Sequence, residues 1–589
     1  MLMSWDSEDN TTRRFPSPSL SHVEVLEAPR MSVPAFSSTI LIIAQSAPSA
    51  AQTQVGYGAM SMLVLFIAVS FWIGSLANKA TQSGGFMKGF FLGNRGLGAW
   101  ALALTATIQS GGTFMGFPSL VYKHGWIVAL WIGSYMVVPV TGFGILGKRL
   151  AQLSRRTGAI TVPDLFRTRF NSPALGLMCT IFILLYLSFM MFAQFKAGAI
   201  VLQLAWPTGG ELSLSEETIS VSQARYHTGL IIFAVTVVSY TLLGGFLAAV
   251  WTDLFQSLLM FFGVMLLLYA SLSAAGGLEN ATMTSLKNTG PGFVYGPGFV
   301  EGNADHQFLP LSLAISFFVV WIWGGVGAPA GLVRLMASQN TNVIRKSIYL
   351  LSLYNLGIYL PLIVICVCGR ALLPNLESSD QIIPRMAILT TGKWPGGSLL
   401  AGLILAAPFG AVMSTVSSYL VVLSSGVVRD IYQKFINPKA AREELRLAAW
   451  GTMLVAGLVS VLVMWNPVQY LQVFIIFSTS GAAATFLIPA IMACYWRRAT
   501  TEGIFAAMIS GAVTILLLYL CGILGWTPTQ NIGSLDKFRP YFLLGFEPLI
   551  WGLIVSATSG ISVSLLTKPM DDALIQRFFG KESSTGTAT

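Results

Sequence analysis

The feature that most constrains this chain is a series of long apolar runs that follow one another from residue 56 to residue 566. Each run reaches the roughly 20 residues that an α-helix needs to cross about 30 Å of hydrocarbon. A water-soluble core cannot bury so many runs, since 54% of all residues are apolar and only 10% are charged. Soluble domains carry about 25% charged residues. We therefore predict an all-α polytopic membrane protein and exclude water-soluble folds.

Hydropathy predicts thirteen spans between an N-terminal extension and a C-terminal tail. Residues 1–54 are polar or signal-like and lie outside the fold, and residues 55–97 hold the first span and its loop. Residues 496–566 form the last two spans, and residues 567–589 form the tail. The predicted spans are residues 56–78, 98–122, 125–147, 174–206, 228–247, 250–275, 308–336, 346–370, 397–428, 446–465, 470–495, 502–525 and 545–566.

Basic residues cluster in every second loop, and this pattern predicts the orientation. The net charge is +10, but the clusters lie between apolar runs and do not form a face for binding nucleic acid. The basic loops include Arg334, Arg345 and Lys346. The loops on the other side are acidic, with Glu211, Glu279, Glu301, Glu377 and Asp380 among them. By the positive-inside rule, the N-terminus lies outside and the C-terminus lies in the cytoplasm, in a cell inner membrane.

Two spans are interrupted near their midpoints by glycine and proline. The second span has three glycines and a proline within residues 106–118, and the seventh has the same within residues 323–329. Glycine destabilises a helix interior and proline removes a backbone donor, so we expect both stretches to unwind or kink. In lipid, unwound backbone is tolerated only where it packs in protein or lines a polar cavity. Its freed carbonyls and helix ends are ligands for a cation or a carboxylate.

The two breaks are five spans apart, which predicts two five-helix units at residues 98–275 and residues 308–495. The units begin on opposite sides of the membrane and so form an inverted repeat, which is typical of transporters with a midplane site. The alternative is that the glycines only permit close packing of helices.

Hydroxyl side chains concentrate in the ninth span, beginning with Ser414 and Thr415 and continuing through Ser417, Ser424 and Ser425. Hydroxyl and carbonyl oxygens suit a monovalent alkali cation. No acidic pair in the sequence suits calcium or magnesium, and no His/Cys group suits zinc. The alternative is that these hydroxyls bond to carbonyls of their own helix, which we expect of Ser417, Ser424 and Ser425.

Several short motifs occur in the same order as in a known protein family. They are FLGNR at 91–95, GFPSLVYKHG at 116–125, TVPDL at 161–165 with RF at 169–170, YTLLGGFLAAVWTD at 240–253, AVMST at 411–415 and RD at 429–430. On these motifs the chain resembles the sodium:solute symporter family over residues 56–566. The resemblance implies a LeuT-like five-plus-five inverted repeat with broken helices, within about thirteen transmembrane helices.

The resemblance also implies a sodium site. In the family, backbone carbonyls at the first break bind the ion, and these fall on Ala106 and Gln109. The carbonyl of Ala411 and the hydroxyls of Ser414 and Thr415 complete the set.

Asp253 occupies the aspartate of the family's WTD motif, which lies near the inward exit path of the ion. An intramembrane carboxylate is a functional candidate by default. The alternative is that Asp253 is the N-cap of the sixth span.

The family's solute lies beside both breaks. This implies a substrate site near Ser110, Gly111, Gly112, Thr113, Trp321, Trp323 and Gly327. Lys196, deep in the fourth span, is a further candidate as the counter-charge of a carboxylate; the alternative is that it snorkels to the surface.

Within the family, GILGK at 144–148, LTAT at 104–107 and AAP at 406–408 resemble the members that carry pantothenate. Pantothenate or another short carboxylate is therefore the favoured solute.

The predicted function is sodium-coupled secondary active symport that imports a small organic solute by alternating access. Its partners are the solute, the co-transported Na⁺ and the lipid bilayer. A proton-coupled carrier of the same fold and a non-transporting membrane sensor or scaffold are the alternatives. We do not expect an enzyme, because His22, His124, His227 and His306 lie at tails or outer span ends without a convergent acid, base or nucleophile.

Overall fold

The structure is a computed structural model that describes residues 56–81, 97–106, 110–207, 219–297, 310–327, 329–467, 471–526 and 538–579. In these ranges, ten helices are long and apolar enough to cross a membrane, and two bent helix pairs raise the number to twelve if each pair is one span. The all-helical membrane class predicted from hydropathy is confirmed.

The helices are numbered here in chain order. They are α1 (Tyr57–Thr81), α2 (Ala99–Ala106), α3 (Phe117–His124), α4 (Ala129–Val138), α5 (Lys148–Thr157), α6 (Val162–Phe170), α7 (Pro173–Ala205), α8 (Ile219–Ala275), α9 (Leu278–Thr289), α10 (Leu311–Gly327), α11 (Pro329–Met336), α12 (Thr341–Leu372), α13 (Ile382–Thr391), α14 (Gly397–Ser425), α15 (Arg442–Val463), α16 (Gln472–Tyr495), α17 (Thr501–Ile523), α18 (Pro548–Leu566) and α19 (Asp572–Phe579).

Wider π-helical turns interrupt the regular pattern in three places. They lie at Gly112–Gly116 before α3, at Pro139–Gly147 between α4 and α5, and at Gly426–Ile436 after α14. Single π turns inside helices are frequent at functional sites. The first two lie in the segments that line the cavity described below.

The fifth and sixth predicted spans are continuous in the structure, because α8 stays helical from Ile219 to Ala275. Its two apolar parts, Val221–Leu243 and Ala249–Ala275, correspond to the two predicted spans. The residues between them include two glycines but no proline, so every backbone donor of the helical pattern is present.

Side chains cap four helices at one end of the bundle. Thr161, Ser172, Asn340 and Thr500 each accept a hydrogen bond from a backbone N–H in the first turn of α6, α7, α12 and α17. Such caps satisfy donors that a helix start leaves unpaired. They set where each helix begins after its loop.

The two ends of the bundle differ in charge. The end that carries α5, α6 and α19 holds Arg149, Arg156, Arg169 and Arg497, and we call it the basic end. The other, distal end carries the segment 373–396 between α12 and α14. Between the two ends, α14 and α16 are buried along most of their length, so they form the centre of the bundle.

Candidate functional site

The break in the second predicted span is held by a buried side chain of α7. The backbone N–H of Gly111 donates to Oε1 of Gln194 at 2.7 Å, and Gln194 is fully buried. A Cβ added to Gly111 would lie 2.8 Å from Cβ of Ala197 and 3.5 Å from Cγ2 of Val412. The break therefore packs between α7 and α14, and Gln194 satisfies a donor that the interrupted helix leaves free.

The break in the seventh span separates α10 from α11, with a bend of 45°. Its glycines pack against α16: a Cβ on Gly324 would lie 2.3 Å from Cγ2 of Thr479, and one on Gly327 would lie 2.8 Å from Cα of Ala483. Close helix packing thus accounts for these two glycines.

A cavity of about 100 Å³ lies between the two breaks and extends towards the basic end. Its lining comes from six segments of the bundle and includes Ser110, Tyr135, Val138, Gly142, Phe143, Met190, Trp321, Gly324, Gly325, Val326, Ala330, Gly331, Leu332, Leu335, Tyr419 and Thr479. Two predicted solute residues, Ser110 and Trp321, are on this wall.

The other predicted solute residues lie beside the cavity. Gly111 packs on α7 as described, and a Cβ on Gly112 would lie 3.0 Å from Cδ1 of Ile475. Thr113 bonds to Tyr359, Trp323 is partly buried, and Gly327 packs on α16.

Two aromatic residues that sequence reasoning missed form one side of the site together with Trp321. The ring of Tyr135 lies 4.2 Å from that of Tyr359 and 5.4 Å from that of Trp321, centroid to centroid. The hydroxyl of Tyr359 lies 3.0 Å from Oγ1 of Thr113. Tyr135 and Tyr359 come from α4 and α12, and no motif marks either of them. The cavity wall is thus mostly aromatic and aliphatic, with few polar groups, as small-molecule sites usually are.

The hydroxyl pair of the ninth span bonds to a carbonyl of its own helix, as the alternative interpretation expects. Oγ of Ser414 and Oγ1 of Thr415 donate to the carbonyl oxygen of Ala411 at 3.0 and 2.8 Å. Val412, one residue on, contacts the break at Gly111, which places this part of α14 beside the first break.

The remaining members of the predicted ion set are placed less fully. Ala106 is the last residue of α2, and Gln109 lies outside the described residues. Ser417 and Ser425 bond to carbonyls of their own helix as expected, whereas Ser424 donates across to Ala449 of α15 at 3.3 Å.

Asp253 lies inside α8 and forms a buried ion pair with Arg334 of α11. Oδ2 of Asp253 lies 2.6 Å from Nη2 of Arg334, and both side chains are 3% exposed. The same guanidinium donates to Oγ of Ser418 on α14. The N-cap interpretation of Asp253 is wrong, because the helix begins far upstream at Ile219. Arg334, which sequence reasoning counts among the loop cations, is instead buried.

Lys196 forms a second buried ion pair. Its Nζ lies 2.8 Å from Oδ2 of Asp380, with the two side chains 6% and 1% exposed. The ammonium group therefore ends inside the protein, and the snorkelling interpretation is wrong. Sequence reasoning assigned Asp380 only to an acidic loop.

Comparison with known proteins identifies the family. Residues 90–511 match the model of the sodium:solute symporter family. The chain belongs to this family.

Two of its relatives are sodium/pantothenate symporters. The protein of Haemophilus influenzae is 32% identical over 502 residues, which cover 83% of this chain and 96% of that one. The protein of Escherichia coli is 31% identical over 500 residues, covering 84% and 93%. The sodium/proline symporter of Escherichia coli is 27% identical over 549 residues, covering 88% and 95%.

A solved structure shares the fold. A Na⁺-coupled sialic acid symporter in its substrate-bound outward-open state matches with a TM-score of 0.64 at 17% identity, over 87% of this chain and 99% of that one. The predicted LeuT-like architecture is confirmed. The chain is a multi-pass membrane protein that performs sodium-coupled symport, with Na⁺ as the co-transported ion, and its relatives are transporters.

Proposed function

We propose that this symporter imports pantothenate or another short organic carboxylate with Na⁺ across the cell inner membrane. The similarity to two sodium/pantothenate symporters at 31–32% identity, over more than four fifths of this chain, supports pantothenate. The arginine-rich basic end is the cytoplasmic end, as the charges of the loops predict. The N-terminus then lies outside, residues 98–275 and 308–495 are the two repeats, and residues 496–566 are accessory spans.

Sodium binds between the first break and α14. The observation that carries this proposal is the position of the Ser414 and Thr415 hydroxyls and the Ala411 carbonyl on the part of α14 that packs against the first break, where a Cβ on Gly111 would lie 3.5 Å from Cγ2 of Val412. These oxygens, with the carbonyls of Ala106 and Gln109, provide neutral oxygen ligands for a monovalent cation. Asp253 lies further towards the basic end and marks the exit path of the ion, with Arg334 as its partner in this state.

The solute binds in the cavity between the two breaks. Ser110 and Trp321 contact the solute directly. Thr113 acts on the solute through its hydrogen bond to Tyr359. The surrounding backbone is shaped by Gly111, Gly112, Trp323 and Gly327. Lys196, in the turn of α7 that packs on the break, supplies the positive charge that a carboxylate needs.

The arrangement described is the inward-facing state of an alternating-access cycle. The cavity lining reaches Leu335 near the basic end, while the distal side is covered by the segment that carries Asp380. Moving one positive charge inward through 100 mV provides about 2.3 kcal/mol. That free energy corresponds to a solute gradient of roughly 50-fold before any sodium gradient is added.

The test is uptake of labelled pantothenate into proteoliposomes under an inward sodium gradient. The double variant Ser414→Ala/Thr415→Ala should raise the sodium concentration for half-maximal uptake at least tenfold. The matched control is Ser424→Ala, which removes a hydroxyl of the same helix that bonds to Ala449 and not to Ala411.

Each alternative function has its own outcome in this assay. Uptake driven by a proton gradient without sodium would favour the proton-coupled carrier and contradict the ion site. Sodium-dependent thermal stabilisation without uptake of any solute would favour a sensor or scaffold. Uptake of a different short carboxylate would retain the mechanism and change only the solute.

A further inference from the structure

A short segment closes the distal end directly above the first break. The 3₁₀ turn Ser379–Gln381 follows α12, and the hydroxyl of Ser379 hydrogen-bonds that of Ser119 on α3. Upstream, the hydroxyl of Tyr122 donates to the carbonyl of Leu373 and accepts from the N–H of Leu376. We call residues 373–381 the distal lid.

Asp380 is the buried anchor of the distal lid. Its Oδ2 accepts hydrogen bonds from Nζ of Lys196 at 2.8 Å and from the backbone N–H of Leu471 at 3.2 Å. Its Oδ1 is buried without a hydrogen-bond partner in the described part of the chain. One carboxylate thus connects the lid to α7 and to the start of α16.

Lys196 belongs to the turn of α7 that packs on the first break. Its neighbours Gln194 and Ala197 both contact Gly111, the first through a hydrogen bond and the second through its Cβ. The ion pair therefore lies where the lid meets the turn of α7 that packs on the first break.

A buried ammonium group that loses its partner is strongly destabilised. The lid can therefore lift readily only if another anion or water replaces Asp380 at Lys196. A solute carboxylate has the same charge and the same acceptor oxygens as Asp380. The two carboxylates are competitors for one cation.

We propose that Asp380 is a specificity-determining residue that exchanges with the carboxylate of the solute on Lys196. When the lid lifts, Lys196 is released and takes the incoming carboxylate. When the lid closes, Asp380 reclaims Lys196 and displaces the solute into the cavity. A neutral analogue cannot replace Asp380, so it enters poorly. This inference depends on the proposal that the solute is a carboxylate.

The experiment measures sodium-driven uptake of labelled pantothenate in proteoliposomes, with pantothenyl alcohol, in which CH₂OH replaces the carboxylate, as competitor. The wild type should prefer pantothenate at least tenfold. In Asp380→Asn the lid no longer competes for Lys196, so KM and maximal rate should both fall, each about fivefold. In Lys196→Gln/Asp380→Asn the two amides still bond each other, and the preference for pantothenate should fall to near unity.

Glu377→Gln is the matched control, because Glu377 is an exposed carboxylate of the same lid. It should leave KM, maximal rate and preference unchanged. Two results would show that the pair only stabilises the fold, and either would overturn the proposed exchange of carboxylates on Lys196. One is a double variant that keeps the tenfold preference for pantothenate, and the other is an Asp380→Asn variant whose KM rises.

The wild-type measurement separates this inference from the proposed function. If the wild type takes up pantothenate and the variants behave otherwise than expected, only the exchange fails. If the wild type takes up no carboxylate at all, the proposed solute class fails, and the exchange fails with it.

Discussion

The distal end and the basic end of the bundle are held together by different kinds of contact. At the distal end, the lid is fixed by hydrogen bonds from Ser119 and Tyr122 and by one buried ion pair, Lys196–Asp380. These bonds are directional, and they all join the same short segment to the bundle. They can therefore form and break as a unit, as a gate requires.

The basic end is held by cations that stack on aromatic rings, together with hydrogen bonds. Phe578 of α19 is fully buried, and the guanidinium of Arg169 lies 5.3 Å from its ring and 5.1 Å from that of Phe579. Arg149 and Arg156 donate to the carbonyl oxygen of Phe578. Burial lowers the pKa of Arg169 to about 10, so the group remains charged at neutral pH.

The difference between the ends has a physical consequence. A cation over an aromatic ring keeps most of its attraction when it is displaced across the face of the ring, whereas a hydrogen bond weakens steeply as its angle changes. The stacked contacts of the basic end can thus adjust while they remain in contact, whereas the hydrogen bonds of the distal lid open or close together. Four predictions are given in order of decreasing expected effect. The second and third compare the two ends directly.

Loss of the Arg334 side chain should have the largest effect on stability. Arg334→Ala leaves the Asp253 carboxylate buried beside the basic end without its partner, which we expect to lower the free energy of unfolding by about 3–5 kcal/mol. Chemical unfolding of the protein in detergent measures this. Arg345→Ala, an exposed cation of α12, is the control and should change it little. Equal effects of the two variants would contradict the buried pair.

Removal of α19 should loosen only the basic end. We expect deletion of residues 570–589 to raise amide hydrogen exchange in α5 and α6 about tenfold, because the arginine–phenylalanine contacts are lost. The hydrogen exchange rates of the amides in the distal lid should not change. Deletion of residues 580–589 alone retains α19 and is the control. Faster exchange at the distal lid would mean that the two ends are not independent.

Tyr122→Phe should loosen only the distal end. The change removes two hydrogen bonds to the lid, at 2.6 and 3.2 Å, and we expect a cost of about 1–2 kcal/mol. Hydrogen exchange of residues 373–391 reports this opening. Tyr349→Phe, an exposed tyrosine of α12, should leave exchange unchanged. If hydrogen exchange at the basic end rises by as much, then Tyr122 does not stabilise the distal end alone.

A smaller effect should appear as a pH dependence. Burial raises the pKa of Glu547, which precedes α18, to about 7, although hydrogen bonds from Leu549 and Ser480 oppose the shift. A carboxyl group with a raised pKa contributes stability that is complete below its ordinary value and is lost as the pH rises through 7. Between pH 5 and 8, melting temperature should therefore decline more in the wild type than in Glu547→Gln. Parallel curves would show that this carboxyl does not titrate in that range.

Sequence patterns were sufficient to predict a property wherever that property depends on neighbouring residues along the chain. Apolar runs marked the spans, and glycine and proline marked both breaks, because span length and helix interruption are local. The clustering of Ser414 and Thr415 is likewise local, since both bond to Ala411 within one turn. Spans five and six were predicted as separate apolar runs, and both lie in the one helix α8.

Contacts between distant segments could not be predicted in this way. Nothing along the chain relates Lys196 to Asp380, 184 residues away, or Thr113 to Tyr359, 246 residues away. Asp253 looked like a helix cap, and Arg334 like a loop cation, until packing placed them together.

By itself, then, the amino-acid sequence determined the membrane class, most of the spans, the breaks, the family and the co-transported ion. Tertiary structure alone decided which charges are paired, which end of the cavity is covered and how α19 docks. The physical reason is that helix formation in lipid depends on local composition. The pairing of buried charges depends on which helices become neighbours, and no local pattern specifies that.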